Sequence, residues 1–222
     1  MTQRIKRQFY LQPALKVAKE LLGQYLVHQI GSQKIIGKPR RKAVFLWGRI
    51  VETEAYPGPQ DLASHARHNK ITPRNLAEYM IGGHIYIYLV YGLYWQLNIS
   101  TGLSGRPACV LIRAIEPLPA RIDTNKLRMN ANIREIRGGV RENSRLANGP
   151  GKLCRYLKIN QRHYGLDLVT SQKIWLERGE KILANNIVIA KRIGIDYAGK
   201  YWVNKKWRFY IKNNPYISRL KK

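Results

Sequence analysis

The segment Gly48-Arg49-Ile50-Val51-Glu52-Thr53-Glu54-Ala55-Tyr56 places the tightest constraint on the fold. Residues 43–56 read as a β-strand, and at a period of two Glu52, Glu54 and Tyr56 fall on one face of it. Two carboxylates beside a phenol are costly on a buried face unless something compensates them. Acids are also scarce in this chain, with 13 Asp plus Glu against 40 Lys plus Arg and a formal net charge of +27. Their clustering therefore implies either a reaction at that face or basic partners that neutralise it. An ordinary ion pair of Glu52 or Glu54 with one of the many basic residues is the structural alternative. Periodicity does not choose between the two glutamates.

A charge of +27 on 222 residues repels itself and calls for a polyanionic partner, of which nucleic acid is the natural one. The apolar runs are broken by charge or glycine within a few residues, so no membrane-spanning or membrane-surface segment is expected. The basic N-terminus is not followed by the apolar run of a signal peptide, which predicts a reducing compartment, and a bacterial cytoplasmic protein is expected. Cys109 and Cys154 lack the spacing of a zinc site or a disulfide framework and read as small buried hydrophobes. With 45% hydrophobic residues the chain can bury a substantial core. One globular domain covering residues 1–222 is expected, as a monomer.

Pro13 and Gly23 bracket a first helix with Ala14, Val17, Ala18, Leu21 and Leu22 as its apolar stripe. Strands are read over 25–30 and 43–56, joined by a very basic loop, Lys34 to Lys42. Thr72-Pro73-Arg74-Asn75 reads as a helix start with Thr72 as its cap. From His84 onward Ile85, Ile87 and Leu89 alternate with Tyr86, Tyr88 and Val90, the run breaks at Tyr91-Gly92-Leu93-Tyr94, and Trp95 to Ser100 resumes it. This predicts a hairpin with aromatics at its tip. A strand over 108–114 ends near Arg113, and a Pro-flanked helix is predicted over 118–129. Asn130 to Ser144 reads as a mobile or DNA-contacting loop. Gly149-Pro150-Gly151-Lys152 opens a short helix to Ile159, and 173–176, 187–193 and 207–211 read as further strands.

His65 and His68 suggest a metal pair, but no third ligand stands at suitable spacing, so no metal and no cofactor is expected. An imidazole hydrogen-bonding a substrate is favoured for His65. The glycine-containing hairpin tip suits an aromatic wedge between base pairs, with an aromatic cluster under a loop as the bland alternative.

Several strings together resemble one family. These are 48–56, Ser64-His65-Ala66, Thr72-Pro73-Arg74-Asn75, Val90-Tyr91-Gly92 with Asn98-Ile99-Ser100, Val110-Leu111-Ile112-Arg113-Ala114, Gly149-Pro150-Gly151-Lys152-Leu153-Cys154 and Trp207-Arg208-Phe209-Tyr210. In this order they are similar to the alkyladenine (3-methyladenine) DNA glycosylases, from the first helix to about Ser218. The resemblance implies an α/β (α+β) domain with a curved antiparallel sheet, flanking helices and a protruding hairpin that enters DNA. It implies Glu54 as the base that activates water and Arg113 as a group that helps hold that water. Tyr56, His65 and Tyr88 are implied as walls of a base pocket, with Asn98 at its floor or rim disfavouring bases with an extra amino group. Tyr91 is implied as the wedge, and Lys70, Arg74 and Lys152 as phosphate or DNA contacts. The basic segment around Lys38 to Lys42 is longer than the family pattern, which bears on affinity and salt dependence more than on mechanism.

The implied chemistry is self-consistent. Breaking an N-glycosidic bond develops positive charge on the sugar, so one carboxylate both stabilises that charge and takes a proton from the attacking water. The implied partner is duplex DNA holding a damaged purine, and the implied product an abasic site. Two alternatives make different expectations: a basic duplex-binding protein on the same fold that releases no base, and a nuclease holding a metal on Glu52 and Glu54 that chelators inhibit.

Overall fold

The computed structural model describes residues 3–34, 41–122 and 147–218. Its strands are β1 (Tyr25–Lys34), β2 (Arg41–Tyr56), β3 (Ile85–Val90), β4 (Tyr94–Ser100), β5 (Cys109–Ile122), β6 (Ile174–Glu177), β7 (Ile187–Ala190) and β8 (Arg208–Ile211). The helices are short: α1 (Arg7–Tyr10), α2 (Ala14–Glu20), α3 (Pro150–Tyr156) and α4 (Lys200–Val203). The strands form one 8-stranded sheet in the order β3-β4-β5-β2-β1-β6, with β8 pairing β2 and β7. All pairings are antiparallel, giving the α+β architecture that the sequence predicted.

The spine of the sheet is β2, 16 residues long. Along one edge it pairs β5 nearly throughout, from Val44↔Ile122 to Tyr56↔Cys109. Along the other it pairs β1 as far as Arg49, and then β8 over Glu52–Glu54. Changing partner midway requires the strand to bend, and the register with β5 shifts on either side of Glu52. Such irregularities increase local twist and re-aim side chains.

Each central strand alternates sharply between two environments. Thr53 and Ala55 of β2, Ile85 and Ile87 of β3, Leu97 and Ile99 of β4, and Val110 and Ile112 of β5 are buried; all but Thr53 belong to one apolar cluster with Val17, Ala18, Leu21 and Leu22. The Thr53 hydroxyl donates to the Ala18 carbonyl at 2.8 Å, fastening α2 to this face. The intervening residues, Glu52, Glu54 and Tyr56, then Tyr86 and Tyr88, Gln96 and Asn98, and Cys109 and Arg113, look the other way. Period two thus separates an oily layer from a polar one.

Beyond α2 the chain enters the sheet through Gly23, whose φ of +86° lies in the left-handed region. A Cβ there would stand 2.2 Å from the Glu180 carbonyl oxygen, so glycine is required both conformationally and sterically. Cys109 and Cys154 are buried and free, as expected.

Two expectations are corrected. The helix predicted over 118–129 is strand as far as Ile122; the remainder lies outside the described residues. Leu118 pairs with Trp47, whose indole donates to the Pro119 carbonyl at 2.6 Å. Here β5 has β2 as its strand neighbour and β4 has already left it, so Pro117 and Pro119 are tolerated on an edge. The Thr72 helix cap is instead a turn in which the Asn75 side chain accepts from the Thr72 N–H (2.7 Å) and hydroxyl (3.0 Å), followed by a 3-10 turn over Leu76–Tyr79. Competing side-chain bonds of this kind favour turns over helices. The basic segment expected as a loop contributes Lys34 and Arg41 to paired strands; residues 35–40 and the loop expected over 130–144 lie outside the described residues.

Because Ile112 is 0% exposed in the main core, Ile112→Ala is expected to cost about 2–5 kcal/mol. Urea unfolding followed by circular dichroism measures it; a change below about 1 kcal/mol would contradict this account of the core.

Candidate active site

The polar layer closes over a cavity of about 220 Å³. Tyr56 from β2, Tyr86 and Tyr88 from β3, Gln96 and Asn98 from β4, and Cys109 and Arg113 from β5 line its floor and sides. The loop carrying Ser64 and His65, the 193–197 segment, Glu78 and Pro150 complete it, and Tyr91 stands on its rim.

Beneath the cavity lies a buried charge cluster. Glu52 and Glu54 are both 0% exposed, and the guanidinium of Arg113 lies between them, with Nε 3.1 Å from Glu52 Oε1 and Nη1 3.2 Å from Glu54 Oε1. Burial works against the charge on Arg113, but Glu54 and Glu52 outweigh it and its pKa rises. The two glutamates differ in how fully they are occupied. Glu52 accepts from Arg113, from Arg208 Nη1 (3.0 Å), and from the Ser218 hydroxyl (2.7 Å) and backbone N–H (2.6 Å). Three of these donors meet Oε1 and only the Ser218 N–H meets Oε2, and of the residues that supply them Arg113 alone lines the cavity. Glu54 accepts the Ile193 N–H at 2.8 Å on the Oε1 that faces Arg113, and the Tyr56 hydroxyl at 3.0 Å on Oε2. One position on Oε2 therefore remains open among the described residues. Glu54 itself is not in the cavity wall, but Arg113, Ile193 and Tyr56, the groups bonded to it, all are.

The guanidinium occupies the space between the two carboxylates where the nuclease alternative would seat a metal ion, and no group of three potential metal ligands occurs among the described residues. His68 is exposed, away from any partnership with His65.

The aromatic walls are held by hydrogen bonds and ring contacts. His65 Nδ1 is 2.6 Å from the Tyr86 hydroxyl, and its ring meets Tyr88 edge-on at 4.5 Å between centroids. Burial, with Arg74 and Arg67 adding to it, pushes His65 down to about 4, so the imidazole is neutral at pH 7. Burial raises the Tyr56 phenol well above its ordinary value, and the neighbouring Glu54 raises it further. Asn98 is 1% exposed with two long contacts, donating to the Gln96 carbonyl at 3.4 Å and accepting from the Cys109 thiol at 3.8 Å, so its amide is weakly committed.

Surface residues complete the picture. The hairpin turn has φ of +51° at Tyr91 and +67° at Gly92, and Leu93 N–H closes it on the Val90 carbonyl at 3.0 Å. This is a type I′ turn with an aromatic residue where Asn or Gly is preferred. Tyr91 is 89% exposed. A bulky left-handed residue costs about 1–2 kcal/mol, and the ring collects no packing to offset it. At the back of the hairpin α3 packs so closely that a Cβ on Gly151 would lie 2.9 Å from Tyr94 Cβ. Arg74 is exposed, lies 5.0 Å over the Tyr88 ring and donates to the Leu89 carbonyl. Lys70 is exposed, and Lys152, also exposed, reaches the Asn148 side chain at 2.9 Å.

Tyr56, His65, Tyr88, Asn98 and Arg113 thus converge on one cavity with Glu54 behind it. A family model for methylpurine-DNA glycosylase (MPG) matches residues 8–215. The chain belongs to the methylpurine-DNA glycosylase family. It is therefore an enzyme of the DNA N-glycosylase class. Among relatives of this glycosylase, a Borreliella burgdorferi protein assigned as a 3-methyladenine DNA glycosylase is 40% identical over 213 residues, 96% of this chain and 98% of its own. The mouse DNA-3-methyladenine glycosylase is 39% identical over 217 residues, covering 97% of this chain and 61% of the mouse protein. The human DNA-3-methyladenine glycosylase is 38% identical over 216 residues, 97% and 68% respectively.

Sequence reasoning missed several residues on which this glycosylase site rests. Arg192 is 4% exposed, forms a two-pronged pair with Asp61 (Nη2 to Oδ1 2.8 Å), bonds the Ala55 carbonyl and stacks between Tyr56 and Trp207. Arg208, Ser218 and the Ile193 N–H reach the glutamates from 139 to 166 residues away in sequence. No local pattern signals such contacts. Glu78 had a signal, as one of only 13 acids and close to the Thr72–Asn75 string, but was passed over.

Asp61→Asn leaves the Arg192 charge buried without its counterion. It is expected to lower stability by about 3–5 kcal/mol, measured by urea unfolding. A loss confined to surface-pair size, under about 1 kcal/mol, would show that the pair does not hold the Tyr56 wall.

Proposed function

We propose that this glycosylase draws a damaged purine out of duplex DNA into the aromatic cavity and hydrolyses its N-glycosidic bond with a water activated by Glu54. The observation that carries this reading is the open position on Glu54 Oε2, in a carboxylate whose other partners line the cavity. Glu52, whose further partners Arg208 and Ser218 do not line the cavity, acts to fix Arg113.

In the reaction the bond between base nitrogen and C1′ breaks with its electrons going to the base. The water oxygen attacks C1′, and its proton passes to Glu54. The products are a free base and an abasic sugar, with the DNA strand intact. The carboxylate stabilises the developing positive charge on the sugar, and Arg113 holds both carboxylate and water in place. No lysine nucleophile is needed, so the enzyme is monofunctional. Substrates are of the 3-methyladenine, 7-methylguanine, hypoxanthine and ethenoadenine class. Stacked tyrosines and a neutral histidine attract a cationic base by about 0.5–2 kcal/mol per ring. Asn98 disfavours bases with an extra amino group. Tyr91, exposed on a strained turn, fills the gap left by the flipped nucleotide, and Lys70, Arg74 and Lys152 contact the DNA backbone.

In this reading it acts as a monomer on chromosomal DNA in a bacterial cytoplasm; relatives that match 95–96% of this chain include bacterial proteins. No helix among the described residues is long and apolar enough to cross a membrane.

Glu54→Gln is expected to slow release of 7-methylguanine or hypoxanthine from single-lesion duplexes by about 10²–10⁴-fold while lesion binding persists. Full turnover by this variant would exclude Glu54 as the base. Tyr91→Ser is expected to weaken affinity for lesion duplex by about tenfold, on the scale of one lost stacking contact; an unchanged dissociation constant would argue against a wedge there. Release should be unaffected by chelator, and inhibition by chelator would favour the metal-dependent alternative.

A further inference from the structure

The cavity wall holds one carboxyl that the reaction does not use. Glu78, in the 3-10 turn Leu76–Tyr79, is 1% exposed and lines the cavity together with Ser64, Tyr86, Asn98 and Cys109, all of them buried. Every other buried acid among the described residues has an arginine: Glu52 and Glu54 share Arg113, Asp61 has Arg192, and Glu177 has Arg121. Glu78 pairs with no cation among the described residues. Its Oε2 receives only a long bond from the Ser64 hydroxyl, 3.4 Å, and its Oε1 is buried with no hydrogen-bond partner among them. A buried carboxyl left in this way costs stability, so its presence in the wall of a binding cavity points to a partner that arrives with the ligand.

A damaged base can be that partner. An alkylated purine such as 3-methyladenine carries a positive charge while it is joined to the sugar, whereas hypoxanthine is neutral. Charge also moves as the bond breaks. With the bonding electrons going to the base, a cationic base leaves neutral, and a neutral base becomes an anion unless it is protonated. A carboxylate without its own counterion attracts the first before cleavage and repels the second during it, and in a buried wall this interaction is only weakly screened.

We propose that Glu78 is a specificity-determining residue of the pocket, a carboxylate that a positively charged base neutralises and that holds neutral lesions back. This rests on the base-excision reading of the cavity. The unpaired oxygen, the missing arginine and the place in the wall carry it together.

The same charge makes the selectivity depend on pH. Burial pushes the Glu78 carboxyl up to about 7. The free pocket therefore holds the charge above that value and loses it as pH falls, so the preference for cationic bases is present on the alkaline side and fades on the acid side. The other groups facing Glu78 do not titrate in this range. Burial raises the phenols of Tyr79, Tyr86, Tyr88 and Tyr164 and the thiol of Cys109 away from neutrality. His65 lies far below, at about 4. The nearby cations are Arg67 and Arg74, whose guanidinium groups do not lose their protons, and the nearby acid Asp61 is locked to Arg192.

The test compares the full chain with Glu78→Gln and Glu78→Met, the second serving should the first not fold, on methylated duplex and on a single-hypoxanthine duplex. At about pH 8, where a carboxyl near neutrality is ionised, either substitution is expected to lower kcat/KM for 3-methyladenine about tenfold, mainly through KM, the scale of one hydrogen bond to a charged group. Hypoxanthine release should not fall. A pocket that was merely distorted would lose both. Between about pH 8.5 and 5.5 the ratio of 3-methyladenine to hypoxanthine release should drop about tenfold more in the wild type than in the variants, and the behaviour of the bases themselves cancels in that comparison. Equal losses on the two bases, or a ratio that follows the same pH course with and without Glu78, overturns the proposal. A second measurement needs no DNA. The preference of the free protein for the cation 3,9-dimethyladeninium over neutral 9-methyladenine, followed by NMR titration, is expected to fall about tenfold in Glu78→Gln. If that preference behaves as described while neither base is released from duplex, the excision reading fails and the counterion role stands. If both bases are released in an unchanged ratio, the counterion role fails and excision stands.

Discussion

Arg113, held between Glu52 and Glu54, is the interaction on which the site depends. Two carboxylates with no exposed surface cannot both stay charged in a protein interior without a cation of matched geometry, since each desolvated charge left alone costs several kcal/mol. The guanidinium satisfies both because its donors fan out in a plane. It reaches both because β2 and β5 slip register around Glu52, which brings Arg113 level with the gap. Arg208 and Ser218 then add three further donors to Glu52 alone. The resulting asymmetry, Glu52 held by residues outside the cavity wall and Glu54 by Arg113, Ile193 and Tyr56 within it, underlies the proposed division of labour between them.

The sheet carries this arrangement because its two faces are chemically separate. Thr53 and Ala55 of β2, Ile85 and Ile87 of β3, Leu97 and Ile99 of β4, and Val110 and Ile112 of β5 form a layer against α2, which gives the strands a rigid backing. The opposite side can then carry groups that no core would accept: two acids, four tyrosines counting the rim, an asparagine and an arginine. Preorganisation of such groups costs stability, which the apolar layer offsets. The exposed left-handed Tyr91 and the poorly partnered Glu78 are further local costs on the same side of the sheet.

Much of the fold was legible in the sequence because alternation and punctuation are local signals. The hairpin at Tyr91-Gly92, the strand over 43–56, the α2 stripe and the Pro150 helix start all lie within a few residues of where they were read. The failures share a cause. Pro117 and Pro119 suggested a helix flank, but strand pairing with β2, about 70 residues away in sequence, decides that segment. Thr72 has the chemistry of a helix cap, yet the Asn75 side chain satisfies its backbone first.

From residue type and short-range spacing came the separation of the strand into two faces and the need for a polyanionic partner; the list of residues that converge on the cavity came through the resemblance to a family. Spacing does not choose between Glu52 and Glu54, since both occupy equivalent positions in a period of two, and the resemblance alone points to Glu54. The folded chain gives the two different surroundings, delivering Arg208 and Ser218 to one and Ile193 to the other. It likewise brings Glu78 to the wall of the cavity that His65 and Tyr86 line. Those are contacts between segments remote in sequence, and their geometry exists only once the sheet has closed the distance.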